Sequence, residues 1–105
     1  MNEKKLQEFA ALLEREQIEE LKKKNLACES NIRNVKVRII PGKKYTKVDI
    51  GPSGRYMVTE AGEIFGIKAY GVIHLGHQYG TLDTIADWYW GGYVGRKNDN
   101  ADKKG

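Results

Sequence analysis

Residues 45–59 read YTKVDIGPSGRYMVT, and this stretch decides the fold. In its first six residues Thr46, Val48 and Ile50 share one face of a strand, because alternate side chains of a strand point the same way. The composition of GPSG at 51–54 indicates a turn. RYMVT at 55–59 then places Tyr56 and Val58 opposite Arg55 and Met57. Two short strands joined by a tight turn predict an antiparallel hairpin.

The same period of two extends outward in both directions. VKVRII at 35–40 predicts a preceding strand, with Val35, Val37 and Ile39 on one face. IFGIKAY at 64–70 predicts a following strand, and VIHL at 72–75 is a candidate for a fifth. Short strands that follow one another through short turns favour an antiparallel meander.

Helical spacing flanks this meander on both sides. Residues 3–24 predict a long helix that Asn2 caps, with an apolar stripe at Leu6, Phe9, Ala10 and Leu13. Either this stripe packs only on the sheet, or it also contacts another subunit.

The stretch TLDTIADWYW at 81–90 predicts a short C-terminal helix that begins at Thr81 and ends before two glycines. Its apolar positions are Leu82, Ile85, Ala86 and Tyr89. The fold class is therefore α+β: an antiparallel β-meander of four to five strands, a long N-terminal helix and a short C-terminal helix.

Length and charge limit the function. A chain of 105 residues is one domain, which we place at 1–95, with a disordered basic tail at 96–105. Cys28 is the only cysteine, so no internal disulfide forms, and a reducing, cytoplasmic location is expected. The first residues are too charged for a signal peptide, and no apolar run is long enough for a membrane span. The net charge of +4 favours anionic partners.

Motifs for catalysis are absent from the sequence, and we predict neither enzyme activity nor a cofactor. There is no Walker loop, nucleophile elbow or dinucleotide fingerprint. His74 and His77 are the only histidines, and a gap of three on a strand does not reliably aim both rings at one point. We therefore predict no metal site, and hydrogen bonding in the fold or to a ligand for His74.

Nucleic-acid binding is an alternative function. Basic residues cluster on or beside the first hairpin, at Lys36, Arg38, Lys43, Lys44 and Lys47. Tyr45 and Tyr56 would be the stacking rings of such a surface. The competing interpretation is a solvated outer face of the sheet.

Two further stretches are unusual in composition. DWYWGGY at 87–93 concentrates more aromatic rings than a small core needs, so some suit a subunit interface or a base-stacking pocket. GIKAYGVIHLGHQYG at 66–80 interleaves glycines with rings. Such glycines either bring the backbone close to a ligand or serve sharp bends of the sheet.

Residues 43–85, KKYTKVDIGPSGRYMVTEAGEIFGIKAYGVIHLGHQYGTLDTI, resemble small bacteriophage proteins, in particular the first Thoeris anti-defence family. Its members are sponges that bind a cyclic ADP-ribose isomer made by host TIR-domain proteins and do not degrade it, and some hold cyclic oligonucleotides. The resemblance implies a non-catalytic protein in the host bacterial cytoplasm. It also implies homodimers or larger symmetric oligomers with ligand pockets between subunits.

The resemblance further implies arginines on phosphates and an aromatic ring against a base. Arg55 lies inside the resembling region, whereas Arg96 lies outside it. The candidate ligand-binding residues are Arg55, Arg96, Tyr70, Tyr79, Trp90, His74 and Thr81.

Overall fold

The computed structural model describes residues 3–92 and 94–97. Its helices are α1 (Glu3–Lys23) and α2 (Glu29–Arg33), and a single 3₁₀ turn covers Ile85–Asp87. The strands are β1 (Val37–Ile40), β2 (Tyr45–Ile50), β3 (Ser53–Thr59), β4 (Glu63–Ala69), β5 (Val72–Thr81), β6 (Trp88–Tyr89) and β7 (Arg96–Lys97).

The five longer strands form one antiparallel sheet in the order β1-β2-β3-β4-β5. Each strand therefore pairs with its neighbour in sequence, which is the predicted meander. The strands β6 and β7 form a separate two-stranded sheet. The α+β class is confirmed.

Helix α1 packs against one face of the sheet through a narrow stripe. Phe9 and Leu13 are fully buried, and Gln17 occupies the next position on the same stripe with 8% of its surface exposed. The helix also holds β1 directly, because the Val37 amide donates a 3.0 Å hydrogen bond to the Glu14 carboxylate. Within residues 3–92 and 94–97, no helix has the length and apolar character needed to cross a membrane.

The centre of the core is aromatic. The Trp90 ring is fully buried and meets Phe9 at 4.8 Å and Tyr56 at 5.4 Å between ring centroids, both edge to face. Edge-to-face contacts add about 0.5–1.5 kcal/mol each to the stabilisation that burial provides. The C-terminal segment is thus a structural part of the core.

The predicted faces of β2 and β3 hold on the helix side, where Val48, Tyr56 and Val58 are at most 2% exposed. The opposite face is drier than expected. Met57 and Phe65 pair across β3 and β4 there and are 5% and 8% exposed. The sheet is therefore covered in part on both faces, and the interpretation of a solvated outer face does not hold at Met57 and Phe65.

The prediction of a helix over 81–90 needs correction. Within this stretch only the 3₁₀ turn at Ile85–Asp87 is helical, and Trp88–Tyr89 form the strand β6. Two anchors explain this: the Trp90 amide donates to the Glu16 carboxylate at 2.8 Å, and the Trp90 indole N–H donates to the Ile85 carbonyl at 3.0 Å. These tertiary bonds outweigh the local helical spacing.

Three smaller predictions also change or fall outside the described residues. The connector at 28–34 contains α2, which the sequence analysis missed. Arg96 and Lys97, assigned to a disordered tail, pair as β7 with Tyr89 and Trp88. The Asn2 cap, Tyr93 of the aromatic cluster and the tail at 98–105 lie outside the described residues.

Candidate functional site

The pairing of β4 with β5 contains a wide bulge at the sequence HLGH. Gly66 pairs with His74 and the preceding residue Phe65 pairs with Gln78, so residues 75–77 lie between these two pairs. A bulge bends its strand and changes the direction of its side chains. Here it brings both histidines to the same side of the sheet.

The two imidazole rings lie side by side, with centroids 4.3 Å apart. A gap of three on a regular strand does not reliably aim both rings at one point, and here the bulge brings them together. Gly76 permits the arrangement, because a Cβ added there would lie 3.3 Å from His74 Cε1. The described residues contain no group of three or more His, Cys, Asp or Glu that could hold a metal ion.

The histidines border a small cleft of about 80 Å³. Its wall includes Arg55 and Tyr79, and two glycines, Gly54 and Gly66, form part of its lining. A Cβ on Gly66 would lie 3.1 Å from Tyr79 Cε2, so the glycine lets the phenol ring approach the strand. Burial raises the pKa of Tyr79, which keeps its hydroxyl protonated.

His74 lines this cleft, and its Nδ1 atom is buried. Within the part of the chain that the structure describes, it has no hydrogen-bond partner. A buried polar atom without a partner is costly, so its presence points to a ligand or water that completes it. Among the described residues that line the cleft there is no carboxylate.

A larger groove of about 420 Å³ runs between the C-terminal end of α1 and the β6–β7 pair. Arg55 and Arg96 both line it, although they are distant in sequence. Lys24 and Tyr89 line it as well, and Glu20 is the one carboxylate among its described lining residues. Cationic side chains therefore outnumber acidic ones in this groove.

One wall of the groove is fixed by α1. Gln17 Nε2 donates to the Trp90 carbonyl at 2.7 Å and to the Gly92 carbonyl at 3.0 Å. The Tyr89 hydroxyl donates to the Glu20 carboxylate, one turn further along the helix. These contacts hold the chain that leads to Arg96 against the helix end.

The Tyr89–Glu20 contact also sets the charge of the groove. Burial and the hydrogen bond to Glu20 raise the pKa of Tyr89 to about 12. The same hydrogen bond lowers the pKa of Glu20, so this carboxylate stays ionised. Lys24 Nζ lies 3.8 Å from Glu20, which offsets part of the negative charge.

Three predicted site residues lie elsewhere or serve the fold. Trp90 has no exposed surface and cannot stack on a ligand in this chain, so its assignment as a stacking ring is corrected to core. Thr81 Oγ1 accepts the Asp83 amide at 3.2 Å within a turn. Tyr70 is on the hairpin between β4 and β5 and donates to Asp49 at 3.1 Å.

The structure therefore brings Arg55, His74 and Tyr79 together at the cleft, and Arg55 and Arg96 at the groove. The sequence analysis missed His77, Tyr89 and Lys24. The H-x-x-H spacing could have drawn attention to His77, but the two rings come together only because of the bulge in β5. Nothing in the sequence places Lys24 beside Arg96.

The basic hairpin of the alternative function is less suited to stacking than expected. Tyr56 is 1% exposed and belongs to the core, which corrects its assignment as a stacking ring. Tyr45 is half-buried, and Lys44 Nζ lies 5.7 Å from its ring centroid. On the face of the sheet opposite α1, Lys47 Nζ lies 5.2 Å from the centroid of the exposed Tyr70 ring.

No family model, curated protein or solved structure matches the chain. Function is therefore argued from the residues of the cleft and the groove and from the sequence resemblance.

Proposed function

We propose that the chain is a phage-encoded, non-catalytic sponge that binds cyclic nucleotide immune signals, cyclic ADP-ribose isomers in particular, and so blocks host antiviral defence. The observation that carries the proposal is the meeting of Arg55 and Arg96 at one groove. An arginine fork meets two phosphate oxygens at once and stays charged. Two such forks at one groove suit a ligand with more than one phosphate.

The size and composition of the groove also favour a nucleotide. Its volume of about 420 Å³ lies in the range of roughly 300–1,000 Å³ typical of small-molecule sites. The half-buried Tyr89 supplies an aromatic ring. The described lining residues include no serine, cysteine or histidine. The one carboxylate, Glu20, is engaged by the Tyr89 hydroxyl, and this arrangement favours binding over bond cleavage.

Recovery of the ligand tests this proposal. The protein is mixed with candidate cyclic nucleotides, separated from free ligand and denatured by heat, and the released compound is identified by mass. A sponge returns the nucleotide intact. A hydrolysed product would mean an enzyme, and no retained nucleotide would remove the proposal.

Assembly is part of the proposal. We propose a homodimer or larger symmetric oligomer in which a second copy covers the open groove. The N-terminal helix and the 88–93 cluster are the expected subunit contacts. Phe9, Leu13 and Trp90 are buried within the single chain, so other residues of these two segments would have to make those contacts. Light scattering on a sizing column decides the question, and a clean monomer at micromolar concentration would remove a pocket between subunits.

The alternative is a nucleic-acid-binding phage protein that binds its ligand on the face of the sheet opposite α1. Lys47 over the exposed Tyr70 ring is the observation that favours it, since cations and stacking rings together bind single strands. Binding to phosphate backbones weakens steeply as salt rises. A steep salt dependence that Lys47→Ala reduces would favour this alternative over the sponge.

A further inference from the structure

We propose that the cleft at the HLGH bulge is a binding site for one phosphate-type oxyanion. Its donors are the imidazoles of His74 and His77, the Arg55 guanidinium and the Tyr79 hydroxyl. The inference deepens the proposed function and rests on it for the identity of the nucleotide, whereas inorganic phosphate probes the cleft by itself.

The size of the cleft sets the class of ligand. The cleft, at about 80 Å³, is far smaller than the roughly 300–1,000 Å³ typical of a site that encloses a whole small molecule, so it suits a single tetrahedral oxyanion. The rest of a nucleotide would have to lie outside. Arg55 lines both the cleft and the groove, so it connects the two.

The charge of the cleft sets the sign of the ligand. Two imidazoles at 4.3 Å suggest a metal ion as readily as an anion. Arg55 decides between them, because its fixed positive charge repels a metal cation and attracts a phosphate. The lack of a carboxylate among the described lining residues points the same way.

The buried His74 Nδ1 atom lacks a hydrogen-bond partner among the described residues, and a bound ligand would provide one. An oxyanion oxygen would accept a hydrogen bond from this atom when it carries the proton. His77 is exposed on the bulge and would approach the same anion from the solvent side. One enclosed and one exposed imidazole permit entry and release of the anion.

The test follows the ring signals of both histidines by NMR while inorganic phosphate replaces chloride at constant ionic strength. We expect saturable shifts of both rings. His77→Ala should weaken the apparent affinity about tenfold or more, the effect of losing one charge-assisted hydrogen bond. Gly76→Ala should also weaken it, because the added methyl displaces the His74 ring. Leu75→Ala is the matched control, since Leu75 lies on the same bulge but does not line the cleft, and should leave the affinity unchanged.

Shifts that do not saturate, or equal phosphate affinity in His77→Ala and the unchanged protein, would overturn the inference. A saturable response to Zn²⁺ in place of phosphate would also overturn it. If phosphate shifts persist but no cyclic nucleotide binds, the proposed function fails and the inference stands. If nucleotides bind but inorganic phosphate does not shift the histidine signals, the proposed function stands and the inference fails.

Discussion

Two hairpins of the sheet, β2–β3 and β4–β5, share one topology but differ in regularity and burial. The β2–β3 pair has one register shift, between Val48 and Asp49, whereas the β4–β5 pair has three. Val48 and Tyr56 are at most 1% exposed, whereas Val72 and Leu75 are 49% and 62% exposed. The regular hairpin provides the core, and the bulged hairpin presents polar rings at the surface. The regular hairpin also contributes Arg55, which lines the cleft beside the histidines of the bulged hairpin.

The largest expected effect lies at the core. Trp90→Ala should lower the free energy of unfolding by about 3–5 kcal/mol, because it removes a fully buried indole and leaves a cavity. Leu75→Ala on the bulged hairpin should change it by less than about 0.5 kcal/mol. Urea denaturation of both variants measures the contrast. Similar losses would mean that the two regions do not differ as described.

The next effect concerns the bonds between α1 and the C-terminal segment. Gln17→Ala should cost about 1–3 kcal/mol, because the buried Trp90 carbonyl loses its donor and the Gly92 carbonyl is affected as well. Gln7→Ala, at an exposed position of the same helix, is the matched control and should be close to neutral. Thermal unfolding of the two variants side by side measures the difference. An equal loss of stability would contradict a stabilising role of the Gln17 hydrogen bonds.

A smaller effect appears at alkaline pH. Burial raises the pKa of Tyr56, against the opposing influence of the Arg55 charge and the Gly95 backbone. The folded state therefore favours the neutral phenol. Its contribution is fully present below the ordinary pKa of about 10 and is lost as pH rises above it, by up to about 1.4 kcal/mol per pH unit.

Tyr56→Phe tests this effect. The variant should fold at neutral pH, since the aromatic ring stays in the core. Its free energy of unfolding should fall less steeply above about pH 10 than that of the unchanged protein. An identical slope would place the alkaline sensitivity at other tyrosines.

The smallest expected effect is that of chelation. We predict that EDTA leaves the melting temperature unchanged, because a structural metal would supply folding energy that its removal abolishes. His74 and His77, whose ring centroids are 4.3 Å apart, are the residues at which a bound metal would be expected if this prediction failed. A large drop in melting temperature with EDTA would contradict it.

The sequence predicted the regular part of the molecule better than the bulged part. Alternation of Val48, Ile50, Tyr56 and Val58 identifies the strands and their buried face, because a period of two is visible in local sequence. The burial of Trp90 in the core cannot be predicted from such a local period. Its helical spacing is overridden by bonds to Glu16 and Ile85, which depend on tertiary packing.

The candidate site could be predicted only in part for the same reason. The family resemblance implies Arg55 and Arg96 as candidates, and both of them line one groove in the structure. The meeting of His74 and His77 depends on the residues inserted at 75–77, and their pairing with β4 has no local sequence signature. Positions that depend on register therefore required the structure.

The most direct test of the central claim, that the groove binds a phosphorylated signal, is calorimetry with the nucleotide that the protein retains. Arg96→Ala and Arg55→Ala should each weaken binding at least about tenfold, the effect of losing a charge-assisted hydrogen bond worth roughly 1.5–3 kcal/mol. Arg55→Lys, which keeps the charge but not the fork, separates phosphate recognition from loss of the half-buried side chain. Arg15→Ala, at an exposed position of α1 outside the groove, should bind like the unchanged protein. Equal affinity in the alanine variants of Arg15, Arg55 and Arg96 would contradict the account.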